Sequence, residues 1–80
     1  MYPAELKYVM VRETCLDVPI VFPNLIKHSE IARKEDIVSA GFCVIDGPEN
    51  SQCYGRSDSL GIESRPEDTK ILRRYLYTPY

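Results

Sequence analysis

Between residues 6 and 12 the chain alternates, setting Tyr8, Met10 and Arg12 on one side and Lys7, Val9 and Val11 on the other. A period of two with β-branched residues predicts a strand. Glu13 to Asp17 reads as a short connection into the apolar run Val18-Pro19-Ile20-Val21-Phe22. Pro19 has no N–H to give to a ladder, so this second strand belongs at an edge or a strand entry. Together the two segments predict an antiparallel hairpin.

In the next ten residues, apolar Leu25, Ile26, Ile31 and Ala32 only partly follow a helical stripe, which predicts a short or broken helix with Asn24 and Ser29 as candidate N-caps. Residues 37–45 carry the strongest strand pattern. Val38, Ala40, Phe42 and Val44 fall on one face, and Ile37, Ser39, Gly41, Cys43 and Ile45 on the other. Because both faces are largely apolar, the strand is expected inside the sheet, covered by helices on one side and by further protein, a second subunit included, on the other.

Asp46-Gly47-Pro48-Glu49-Asn50 is turn chemistry, so residues 51–57 are expected to return as a partner strand. After a loop over residues 58–63, Ser64-Arg65-Pro66-Glu67 has the form of a capping box, with Ser64 as N-cap, Pro66 in the first turn and Glu67 reaching back. The helix that follows places Ile71, Leu72, Tyr75 and Leu76 inward and Lys70, Arg73 and Arg74 outward, and Tyr77 to Tyr80 are expected to fray. The expected fold is α+β: one domain over residues 1–80, order β-β-α-β-β-α, a four-stranded largely antiparallel sheet of two hairpins with both helices on one face.

Composition adds two constraints. A core of this size nets only about 3–5 kcal/mol, so a staple or a partner subunit is expected, and a homodimer is the simplest form. The net charge of −2 is spread without blocks, and the pI is about 5.3. Nucleic-acid binding calls for a clustered basic face, which this balance argues against. The first residues show no basic segment followed by an apolar one, and no apolar stretch approaches the length of a membrane span. A soluble, cytoplasmic protein is expected, and Cys15, Cys43 and Cys53, an odd set without a CxxC pair, suit reduced thiols.

Three cysteines and His28 are zinc-ligand types, but they stand ten or more residues apart rather than in knuckle pairs, so no metal or other cofactor is assigned. A turn centred on Pro48 would set Cys43 and Cys53 opposite each other, where a cross-strand bridge is geometrically open and a reducing compartment would keep it unmade. Gly55-Arg56-Ser57-Asp58-Ser59 lacks the last glycine and the strand-to-helix context of a nucleophile elbow, and His28 is expected to cap a helix or lie on the surface. The spacing of Gly55 and Gly61 is not that of a phosphate loop. No residue is assigned a catalytic role.

Six tyrosines without a tryptophan are the more informative excess, since tyrosine is enriched at protein interfaces. Tyr8, Cys43, Ile45, Tyr54, Tyr75, Tyr77 and Tyr80 are therefore the candidate interaction surface. At Val38-Ser39-Ala40-Gly41-Phe42, Cys53-Tyr54-Gly55-Arg56-Ser57 and Ser64-Arg65-Pro66-Glu67-Asp68 the chain resembles small accessory proteins of bacterial and prophage genomes. That resemblance covers roughly the second half of the chain, carries no catalytic motif and implies no site residues. The function expected is a non-enzymatic, self-associating protein-interaction domain. Two other classes stay open: a thiol or hydrolytic enzyme using Cys43 or Cys53 with His28, and weak nucleic-acid binding through Lys70, Arg73 and Arg74.

Overall fold

The computed structural model describes residues 4–78. Two strands, β1 (Glu5–Glu13) and β2 (Leu16–Pro23), form the expected hairpin. A one-turn helix α1 (His28–Ile31) and a 3-10 turn (Lys34–Asp36) lead to β3 (Ile37–Val44). Then come the single turn α2 (Gly47–Asn50), the short strands β4 (Gln52–Tyr54), β5 (Arg56–Ser57) and β6 (Ile62–Glu63), and the helix α3 (Asp68–Tyr77). The main sheet is antiparallel in the order β2-β1-β3-β4, and β5 and β6 make a separate hairpin.

The α+β class and the four-stranded antiparallel sheet are therefore as expected, whereas the order β-β-α-β-β-α, which gains α2 and the β5–β6 hairpin, and the placement of the helices are not. On one face of the sheet Val9, Phe22, Ile37, Ala40 and Leu60 form a core with Ile26 and Ile31 around α1 and Ile62 of β6 packed against it. On the other face Tyr8, Met10, Cys43 and Leu72 form a second core, joined by Ile71 of α3 and by Val21, Val38 and Cys53. The two helices lie on opposite faces. Both apolar faces of β3 are thus covered by this chain itself, α3 on one side and the α1 segment with the β5–β6 hairpin on the other.

Two local departures produce this arrangement. The β1–β3 register shifts between Met10 and Val11, pairing Met10 with Ser39 but Val11 with Ile37. The extra residue sends Ile37 to the Val9 core and Val38 to the Tyr8 core, the reverse of strict alternation. The strand expected over residues 51–57 also breaks at Gly55, whose φ of 78° a side chain would resist. The Tyr54–Arg56 backbone there runs so close to Gly41 that a Cβ on Gly41 would stand 2.5 Å from the Tyr54 carbonyl oxygen. The chain leaves the sheet at this corner and carries Leu60 and Ile62 onto the Val9 face.

The helix caps differ as well. Asn24 donates to Glu5 at 3.1 Å, and the Ser29 amide donates to Ser59, so neither caps α1; the Glu30 carboxylate instead accepts the Lys27 amide at 3.1 Å. Before α3, the Ser64 hydroxyl donates to the Gly55 carbonyl at 2.8 Å, and the Arg65 amide donates to Asp68 at 3.0 Å. The reaching-back carboxylate is Asp68 rather than Glu67, one residue later than the capping box implies. Tyr77 ends α3 with its hydroxyl accepting the Gly47 amide at 3.2 Å, so it is tied down rather than frayed.

Sheet edges follow from the same counting. The two-residue turn makes Glu13 and Leu16 a hydrogen-bonded pair, so Pro19 opposite Met10 and Pro23 opposite Leu6 fall at positions whose N–H would point outward. Their missing donors blunt the β2 edge against strand addition. The β4 edge is only three residues long and is capped by α3: the Cys53 amide donates to Thr69 Oγ1 at 2.9 Å.

Two measurements of unfolding free energy check this packing. Gly41→Ala should cost about 1–3 kcal/mol, because backbone rather than a mobile side chain blocks the added methyl. Ser39 is fully buried and its hydroxyl has no hydrogen-bond partner among the described residues. Ser39→Ala should therefore raise stability by about 1 kcal/mol, and a loss would show that the hydroxyl is satisfied in solution.

Candidate functional site

Asp68, the first residue of α3, has no exposed surface. A buried carboxylate is tolerated only when donors replace its water. Three do so here: the Tyr8 hydroxyl at 2.5 Å, the Arg65 amide at 3.0 Å and Arg65 Nε at 3.0 Å. The Arg65 guanidinium also donates to Asp17 of β2 at 2.9 Å, and Asp17 accepts Arg12 Nε at 2.9 Å. Strand β1, strand β2 and helix α3 are thus joined by alternating charges. Burial and the adjoining Asp68 push the Tyr8 phenol far above its usual range, so it remains a donor. Hydrogen bonds from Arg12 and then Arg65 hold the Asp17 carboxyl below the usual carboxylate range.

Beside this network lies an open groove of about 800 Å³ between the tip of the β1–β2 hairpin and α3. Val18 and Ile71 are half-buried in it, Leu16 and Tyr75 flank it, and Arg12, Arg74 and Thr78 border it. Leu16 is 71% exposed and Tyr75 47%, so two large apolar side chains face solvent around one depression. The turn at its end is strained. Thr14 has φ 58°, a left-handed conformation that a β-branched residue adopts at a cost.

The other candidates separate when placed on the fold. Tyr8 and Cys43 are wholly buried, which removes them from any surface; their faces are covered by α3. Ile45 is half-buried just beyond β3. Tyr54 is exposed, stacks on Phe42 at 6.3 Å and donates to Glu5, a bond that pushes its phenol up to about 12. Tyr80 lies outside the described residues. Of the six candidates among the described residues, only Tyr75 lines the groove, and its neighbours there, Leu16, Val18 and Ile71, carry no tyrosine signal.

His28 is buried rather than capping or exposed. Its Nε2 donates to the Gly41 carbonyl at 2.7 Å, and its ring meets Phe22 and Phe42 edge-on. It packs with Phe22 of the Val9 core, whereas Cys43 and Cys53 belong to the Tyr8 core across the sheet. The histidine and these thiols are not brought together. Burial pushes the Cys43 thiol up to about 11 and that of Cys53 to about 12, away from nucleophilic chemistry at neutral pH. Ser57 Oγ accepts the Leu60 amide at 3.2 Å and so serves its own turn. Among the described residues no cluster of three metal-ligating side chains occurs.

No protein-family model, curated protein or solved structure matches the chain. The likeness of its second half to accessory proteins therefore stands on the quoted segments alone. Among the described residues no helix is long and apolar enough to cross a membrane. The basic trio also divides: Arg73 braces the α2 turn by donating to the Ser51 carbonyl at 2.7 Å and the Glu49 carbonyl at 2.9 Å, while Arg74 borders the groove.

Asp17 supplies a test of the network. Because its folded carboxyl titrates below the unfolded one, its contribution is fully present above about pH 4 and fades as acid takes the carboxylate through its folded range. Asp17→Asn should be less stable than the parent at pH 7, and the gap should narrow as the pH falls below about 4 in acid-titrated urea denaturation.

Proposed function

We propose that this protein is a non-enzymatic binding domain that captures an apolar, acid-flanked segment of another protein in the groove between the β1–β2 tip and α3. The observation that carries the reading is the pairing of exposed Leu16 and Tyr75 across an apolar depression bordered by Arg12 and Arg74. Exposed apolar patches of this kind mark interaction sites, and tyrosine with arginine is the usual composition of interface anchors. The strained Thr14 turn at the groove's end is in keeping with a working surface.

Charge decides between occupants. Asp17 in the groove's lining already pairs with Arg12, so Arg74 carries the rim's remaining positive charge, which a second copy of the same rim would repeat rather than complement. A segment carrying Asp or Glu beside two apolar anchors meets Arg74 with opposite charge. Self-association was expected from the two-faced strand over residues 37–45, and that motive weakens once the chain covers both faces itself. The reading retained is an accessory domain with a heterologous protein partner.

Selection of a displayed random-peptide library against the protein tests this. Enriched peptides should combine apolar anchors with acidic residues, and Leu16→Asp or Tyr75→Ala should weaken their binding at least about tenfold without changing the thermal midpoint. Peptides that bind the variants equally well, or that carry no acid, would sink the proposal, as would a groove closed by dimerisation in sedimentation equilibrium.

A further inference from the structure

Cys43 of β3 and Cys53 of β4 are direct cross-strand partners. The Cys53 amide and carbonyl are both engaged by Thr69 of α3, on the side away from β3. The pair is therefore a non-hydrogen-bonded one, the close type, with Cα atoms about 4.5 Å apart. Counting along the ladders from the Thr14–Cys15 turn through β1 gives the same assignment. That separation falls inside the window of about 4.4–6.8 Å that a disulfide needs. Both side chains belong to one core, with Tyr8 and Leu72, so they share a face. Cys15 follows the opposite end of β1 from Leu6, the partner of Cys43, and is about 25 Å away along the strand.

We infer that Cys43 and Cys53 form a built oxidation site that closes to a cross-strand disulfide when the chain folds in the presence of a small-molecule disulfide such as oxidised glutathione. In the unfolded chain the Cys53 thiolate attacks one glutathione sulfur, making a mixed disulfide and releasing one glutathione thiolate. As β4 pairs with β3, the Cys43 thiol gives up its proton and its sulfur attacks Cys53 Sγ, releasing the second glutathione. Two cysteine thiols are oxidised and one glutathione disulfide is reduced to two thiols. Once folded, the pair is shielded: Cys43 is buried, and burial keeps both thiols protonated at neutral pH. Folding history, rather than later exposure to oxidant, sets the state of the site.

The bridge closes a loop of about ten residues, which the chain-entropy relation equates to about a hundredfold in the folding equilibrium. It also locks β4, whose outer edge positions Thr69 and hence α3. The experiment uses the full chain with Cys15→Ser, since Cys15 is exposed and outside both cores. The protein is refolded from urea in a glutathione redox buffer, trapped with an alkylating agent and mapped by mass spectrometry. A second sample is folded under reducing conditions first and then given the same buffer.

The expected result is a 43–53 bridge in the first sample and a thermal midpoint higher by on the order of 10 °C, lost on reduction. The folded, reduced sample should close at least about tenfold more slowly. Free thiols in the refolded sample, mixed disulfides that never resolve, or a bridge that lowers the midpoint would overturn the inference. Equal rates in the two samples would overturn the role of folding history. Cys53→Ser in the same background should show neither the bridge nor the midpoint shift. None of these outcomes depends on the groove binding a partner.

Discussion

The buried carboxylate of Asp68 is the constraint around which the rest of this small protein is arranged. An isolated charge with no exposed surface would cost several kcal/mol, and removing one partner of such a group is far worse than never having had it. Asp68 tolerates burial because a phenol from the central strand, a guanidinium and a backbone amide all donate to it. Those donors come from both ends of the chain, so the carboxylate can be satisfied only when α3 is seated on β1. The network thereby ties the seat of α3 to β1, alongside the apolar contacts of Ile71 and Leu72.

Seating α3 has consequences in two directions. Toward the hairpin tip, it leaves a groove lined by Leu16 and Val18 of β2 and by its own Ile71 and Tyr75, with Asp17 and Arg12 tying the hairpin in place. Toward the β4 edge, Thr69 takes up the outward amide of Cys53 and Arg73 takes up the carbonyls around the α2 turn. One element thus closes a core, borders the apolar groove and finishes an exposed strand edge. On the far face the corner at Gly41 and Gly55 does comparable work, since the close backbone crossing redirects the chain and places Leu60 and Ile62 over Val9 and Ala40. An eighty-residue chain can cover a two-faced sheet only if its short connections also serve as cover.

Much of this was legible in the chain because it is local. Alternation over residues 6–12 and 37–45, the proline-marked second strand, the weak segment after Asn24 and the facing of Cys43 and Cys53 all follow from period, turn chemistry and loop length. The candidate site was barely legible. Tyr75 stands out only as one of six tyrosines, whereas Leu16 looks like any residue after a turn, and only the position of α3 gives it a neighbour. Tyr8 carries the same residue type as Tyr75 and has the opposite role, because its hydroxyl meets a carboxylate sixty residues away in the chain.

What the sequence by itself determined is the α+β class, the antiparallel pairing and the register of the β3–β4 ladder. Tertiary structure alone decided which helix covers which face, that His28 is buried across the sheet from Cys43, and that a groove remains. The physical reason is that periodicity records which side chains share a face, while cover depends on partners far apart in the chain. A single extra residue opposite Met10 and Val11 exchanges the faces of Ile37 and Val38, and a single buried carboxylate fixes the side on which α3 lies.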